Sequence, residues 1–237
     1  MNGTLINIAT NESYDEIYRI ISNFFKYQGV ALSQCQVKEQ YFKLLGEQKE
    51  KSGEHHPEFD AVDIFCEIFW DNATEYGRSM AYSKIERLPV FLAELFRAAS
   101  LNRLELFDGV LDTIRCLSYC YRLGIVSDAQ SVYALPELND VGLLGFFDPV
   151  IISSDYGARK PERRLFEQAG RTMGIEMSDM VYVGNDVYRD VFGALRVGMK
   201  TVLFRSYGKP KEYKGVKADY EIDSFGQLWD AIKFFEA

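Results

Sequence analysis

Five short apolar runs, "LGIVSD", "FDPVIISSD", "MVYVGND", "KTVLF" and "ADYEID", recur along the second half of the chain with helix-length amphipathic stretches between them. No other feature limits the fold as tightly. Several of the runs are rich in valine and isoleucine, and the alternation with helical segments describes a parallel sheet with helices on both faces. Residues 102–237 are therefore expected to form a doubly wound α/β core. Ligands of such sheets collect at the carboxyl ends of the strands, so the residues that end each run are the candidates for chemistry.

The text before this region has another period. Ile17, Ile21, Phe24 and Phe25 fall at helical spacing, and Ile64, Phe65, Ile68 and Phe69 repeat the stripe. "PVFLAELFRAA" closes the region, with Pro89 suited to the first turn of a helix. These periods predict an inserted all-helical domain over 12–101, with 1–11 and 102–237 making the core. "YGKPKEYKGVK" reads as a solvated loop.

Charge narrows the partners. With net charge −8 there is no basic face for nucleic acid or an anionic membrane, and a phosphorylated ligand would need local neutralisation. Cys35, Cys66, Cys116 and Cys120 read as reduced thiols, the last two spaced like one helix face rather than a zinc clip. No run reaches the roughly 18 apolar residues of a membrane span, and the first residues have neither a basic region nor an apolar signal core. A cytoplasmic protein is expected. Oligomeric state is not legible.

The strand-end residues each admit a plain reading and a chemical one. Ser127 could donate to a phosphoryl oxygen or cap the next helix. Lys160, before Pro161, would stand at the anion-friendly start of a helix or in solvent. Asn185, Asp186 and Asp190 could supply oxygens to a hard cation such as magnesium, or Asp186 could cap a helix while Asp190 faces water. The adjacent His55 and His56 read as solvated rather than metal-binding. The chain opens "MNGTL", a tight polar turn with no strand in front of it.

Taken jointly, a strand-end Ser127, Lys160-Pro161 about thirty residues on, and Gly184-Asn185-Asp186 with Asp190 following resemble the haloacid dehalogenase-like hydrolase superfamily. The helical segment resembles that superfamily's cap. In its first motif, Asp, any residue, usually a second Asp, then Gly-Thr, Met1 falls on the variable position, Asn2 on the second Asp and Gly3-Thr4 on the turn. The resemblance implies a Mg2+-dependent phosphatase acting on a small phosphomonoester through an aspartyl-phosphate. It puts Asn2, Thr4, Ser127 and Lys160 in the catalytic set and Asn2, Asn185, Asp186 and Asp190 around the metal. The nucleophilic Asp would precede Met1, and so would a central strand between "LGIV" and "VYVG". Without that strand a gap of about two strand spacings, near 9.5 Å, is expected, along with an inactive or impaired enzyme. Asn2 also lacks the titratable proton of an acid–base catalyst. Two alternatives stand beside this reading: a metal-independent 2-haloacid dehalogenase, and a non-catalytic binding protein.

Overall fold

The computed structural model describes residues 1–206 and 212–237, which divide into two compact units, Met1–Ile8 with Leu104–Ala237, and Ala9–Arg103. A two-stranded ribbon carries the chain from one unit to the other and back. Its strands are β1 (Ile6–Thr10) and β2 (Leu101–Leu106), tied at one end by Phe107 N–H to Leu5 O and at the other by Asn11 N–H to Ser100 O.

The Ala9–Arg103 unit is helical. Its helices are α1 (Asp15–Tyr27), α2 (Gln34–Lys51), α3 (Ala61–Asn72), the single turn α4 (Glu75–Arg78) and α5 (Tyr82–Ser100). Ser33 opens α2 with a reciprocal capping box to Gln36, and Asp60 caps α3 through the N–H groups of Val62 and Asp63. Most of the two stripes face inward: Ile17, Ile21, Phe25, Ile64, Phe65, Ile68 and Phe69 are buried, whereas Phe24 is only half-buried. Each such side chain contributes about 1.5–3 kcal/mol of apolar transfer free energy. Tyr41 stacks on Phe96 at 4.6 Å between ring centroids. Pro89 departs from expectation, because it lies inside α5 rather than in its first turn. The helix starts earlier, at Tyr82, where an apolar stripe through Ile85, Leu88 and Leu92 already faces the core.

The other unit is the α/β core. Along the chain come α6 (Val110–Ser118), β3 (Ile125–Ser127), α7 (Ser131–Asp140), β4 (Val150–Ile152), α8 (Arg163–Met173), β5 (Val181–Gly184), α9 (Gly193–Leu195), β6 (Lys200–Phe204), β7 (Tyr220–Ile222) and α10 (Leu228–Glu236). All five apolar runs are strands, and every pairing among β3–β7 is parallel. The sheet comes in two pieces, β3-β4 and β5-β6-β7. Among the described residues no backbone hydrogen bond joins β3 to β5.

α6 ends at Ser118, so Cys120 lies beyond it and does not share a helix face with Cys116; all four cysteines are free thiols. Part of the lysine-rich loop, 207–211, falls outside the described residues. No described helix is long and apolar enough to cross a membrane.

Candidate active site

Lys160 and Asp190 anchor the carboxyl ends of the strands. The Lys160 ammonium donates to Asp190 Oδ1 at 2.5 Å and to the Tyr182 hydroxyl at 3.1 Å. Both members of the ion pair are buried, their side chains 8% and 5% exposed. Tyr182, from the middle of β5, donates in turn to the Val126 carbonyl of β3 at 2.9 Å. Asp190 Oδ2 accepts from the backbone N–H groups of Asn185 and Asp186, both at 3.0 Å. One carboxylate therefore collects a cation and two amides, which is how a charge is held out of water.

Local backbone geometry brings Asp190 to this place. Residues Val187–Phe192 form a wide π-helical turn whose start is capped by Asp186 Oδ1, which accepts from Tyr188 N–H at 3.1 Å and Arg189 N–H at 2.9 Å. Gly184 makes room, since a Cβ there would stand 2.3 Å from Asp190 Cβ. The N-terminal turn packs against the same strand end. Gly3 has φ +76°, and a Cβ on it would meet Asn185 Nδ2 at 2.4 Å. Thr4 Oγ1 donates to Asn185 Oδ1 over 3.4 Å, and Asn185 Nδ2 donates to Ser206 Oγ at 2.9 Å.

Asp128, the residue after β3, accepts from Lys160 N–H at 2.8 Å and so ties the loop carrying the lysine to the sheet. Arg189 lies 3.7 Å from Asp128 Oδ2 and bonds Asp186 Oδ2 through Nε at 3.2 Å and Nη2 at 3.1 Å. Three carboxylates thus meet two side-chain cations.

The electrostatics follow from these contacts. Burial works against both charges of the central pair, but each partner outweighs that cost for the other. The Lys160 pKa is held above its ordinary value by Asp190, with Tyr182 and Asp128 adding to it. The Asp190 carboxyl is held below its ordinary range by Lys160. Burial pushes the Tyr182 phenol up, so it stays protonated and donates. For Arg189, Asp186 and Asp128 overcome burial and raise the guanidinium.

Of the residues singled out in the sequence, Lys160 and Asp190 touch directly, Asn185 and Asp186 donate to Asp190, and Thr4 reaches Asn185. Ser127 ends β3 between Val126 and Asp128, both of which contact the cluster, and it does not cap α7, whose cap is Gln130. Lys160 is not at a helix start either. α8 begins at Arg163 with Glu162 as its cap, and the ammonium is directed to Asp190. Asp186 does cap the following turn, whereas Asp190 is buried rather than solvated. Sequence reasoning missed Tyr182 and the pairing role of Arg189. A tyrosine inside "VYVG" counts as apolar in any periodicity, and only its hydroxyl, reaching across to β3, makes it part of the site.

For a hard cation the oxygen donors fit in kind. Asn2 Oδ1 is buried without a hydrogen-bond partner, and Asn185 Oδ1 takes the long bond from Thr4. The oxygens of Asp186 and Asp190 already serve Arg189, Lys160 and backbone amides. Among the described residues no group of three or more His, Cys, Asp or Glu gathers around one point, and His55 is exposed.

Comparison with known proteins identifies the family of the chain. Glyceraldehyde 3-phosphate phosphatases of Pyrococcus abyssi and Methanopyrus kandleri are 37% and 35% identical over 123 and 118 residues. These matches cover 52% and 48% of this chain and 51% and 50% of theirs, so the chain spans about half the length of these relatives. Two solved structures share the fold over nearly the whole length. A phosphatase from Thermococcus onnurineus has a TM-score of 0.58 at 23% identity, covering 98% of this chain and 94% of its own. A 2-haloacid dehalogenase from Pseudomonas syringae has 0.68 at 19%, covering 99% and 96%. The sequence profile described as haloacid dehalogenase-like hydrolase matches residues 3–204, most of the α/β core and all of the helical insertion, and the chain belongs to that family.

Proposed function

We propose that the α/β unit binds the phosphoryl group of a small phosphomonoester at the carboxyl ends of β3 and β5, and hydrolyses it when an aspartate stands immediately before Met1. One observation carries this reading: a buried lysine, kept charged by Asp190 and Tyr182, at the strand ends of a parallel sheet. Lys160 offsets the charge of the phosphate, the Ser127 hydroxyl orients one of its oxygens, and Asp128 fixes the loop between them. The phosphatase names of the relatives matched over about half their length support the same class. Asn2, Asn185, Asp186 and Asp190 would hold Mg2+. The ion, when bound, neutralises charge developing on the transferring group. Asn2 cannot give or take a proton, which lowers the rate by about 10²- to 10⁴-fold relative to an Asp there.

The test is hydrolysis of p-nitrophenyl phosphate. The 237-residue chain is expected to be inactive, and a strand ending in Asp joined to Met1 gives weak turnover that Asn2→Asp raises and Lys160→Ala abolishes. Robust turnover by the unextended chain would show that another residue supplies the nucleophile. A second reading, a non-catalytic binding protein, is favoured by the Arg189 pairing that occupies Asp186. It predicts phosphate binding without turnover in every one of these forms. Metal-free turnover of a 2-haloacid by the extended chain would instead favour dehalogenation.

A further inference from the structure

Two carboxylates at the strand ends share one guanidinium, and only one of them is satisfied by it. Arg189 forks onto Asp186 Oδ2 through Nε at 3.2 Å and Nη2 at 3.1 Å, while its Nη1 stands 3.7 Å from Asp128 Oδ2. That second span is too long for a hydrogen bond. Asp128 Oδ2 is buried without a hydrogen-bond partner, in a side chain only 6% exposed. A buried carboxylate oxygen without a donor carries a desolvation cost that a closer guanidinium would remove.

The two acids are fixed and the guanidinium is not. Asp186 Oδ1 caps the π-helical turn by accepting from the N–H groups of Tyr188 and Arg189, and Asp128 Oδ1 accepts from Lys160 N–H. Each acid is thus pinned through one oxygen and offers the other to Arg189. The arginine side chain is long and half-exposed. Rotation about its own bonds would shorten the contact between Nη1 and Asp128 Oδ2 by about 0.8 Å, to hydrogen-bond length, and draw Nε and Nη2 away from Asp186.

Accessibility sets the order of events. The Asp186 side chain is 22% exposed, so a cation arriving from solvent meets it before Asp128. Three carboxylates against two side-chain cations leave one negative charge in excess, and the cluster can therefore accept another cation without expelling Arg189.

We propose that Arg189 is a two-station cation. It holds Asp186 until a divalent cation takes that carboxylate, and it then moves to Asp128 Oδ2, whose unmet hydrogen bond offsets what the arginine loses. Asp128, which is outside the metal set, thereby controls how readily the site admits its ion. This inference rests on the reading that Asp186 serves Mg2+.

The experiment is calorimetric titration of the 237-residue chain with Mg2+ alone, for the unaltered protein, Asp128→Asn, Arg189→Ala and the double variant. Asparagine keeps an acceptor for Lys160 N–H and removes the second station. Asp128→Asn is expected to weaken Mg2+ binding at least about fivefold more when Arg189 is present than when it is alanine, because the charge lost is the same in both backgrounds and cancels in the cycle. In the unaltered chain, saturating Mg2+ should speed exchange of the Arg189 Nε–H, read by NMR, at least tenfold as its bond to Asp186 is released. Equal effects of Asp128→Asn in the two backgrounds, or an Nε–H whose exchange Mg2+ leaves unchanged, overturns the proposal while Asp186 stays a metal ligand. Absence of Mg2+ binding in all four forms, or binding indifferent to Asp186→Asn, refutes the metal assignment itself and the proposal with it.

Discussion

Replacing Lys160 by Met removes one half of an ion pair whose two side chains are 8% and 5% exposed, and leaves Asp190 facing only backbone amides and the Tyr182 hydroxyl. Breaking a buried pair from one side costs about 3–5 kcal/mol, because the remaining charge stays out of water without its partner. For a protein of this size that corresponds to a fall in Tm of roughly 6–20 °C. Asp190→Asn strands the lysine instead and costs a similar amount. The double substitution leaves no charge behind, so its cost should not exceed that of the worse single change, giving a coupling of at least about 2 kcal/mol. Urea unfolding followed by Trp229 fluorescence in a Trp70→Phe background isolates the α/β unit, since Trp70 lies in α3. The pH dependence supplies the second half of the test. Asp190, depressed by Lys160 against the cost of burial, contributes stability present above about pH 3.9 and lost as pH falls through its folded value. Lys160, raised by Asp190 against the same cost, contributes stability present below about pH 10.4 and lost as pH rises through its folded value. The penalty of Lys160→Met should therefore be full at neutral pH and shrink below about pH 4. Additivity of the two single substitutions within about 0.5 kcal/mol, with a penalty that ignores pH, would refute the pairing argument.

Three further outcomes follow from individual contacts. Tyr182→Phe strips the Val126 carbonyl and the Lys160 ammonium of one partner each, and should cost about 1–3 kcal/mol in the same unfolding assay. Gly3→Ala places a methyl group against Asn185 at a backbone angle of φ +76°, and should lower stability by about 1–2 kcal/mol and change the NMR shifts of the Asn185 side-chain amide. Arg189→Ala frees Asp186 Oδ2, so calorimetric titration with Mg2+ should give tighter binding than in the unaltered chain; unchanged or weaker binding would remove Asp186 from the metal set.

What the sequence disclosed and what it hid have separate physical causes. The runs that became β3–β7 are buried by helices on both sides, and burial of that kind leaves a dense apolar signature that no other element imitates. β1 and β2 escaped notice because a two-stranded ribbon buries little: Asn102, Arg103 and Glu105 are exposed, and the polar text resembles a loop. Pro89 was misplaced because proline marks a helix start only on average, and the apolar stripe of α5 extends ahead of it. In the site, the residue types at the strand ends were readable, but the partnerships were not. Nothing in "ARKPE" and "VYRDV" states that Lys160 and Asp190 meet, since that contact depends on the path of α8 and on the width of the π-helical turn. The half-reading of Asp186 has the same origin, as a capping residue and a metal ligand share one signature until its neighbours are seen.

The ribbon of β1 and β2 makes the helical unit a separable insert. Asn11 N–H and Ser100 O lie 2.8 Å apart, so the chain leaves and re-enters at neighbouring points, and everything between them could be exchanged without lengthening the connection. An Asn-Gly turn in place of residues 12–99 would close the ribbon into a hairpin and deliver the α/β unit by itself, with Lys160 and Asp190 both contained in it. In this chain the junction itself depends on four residues of ribbon, Leu5, Asn11, Ser100 and Phe107, and not on what lies between them.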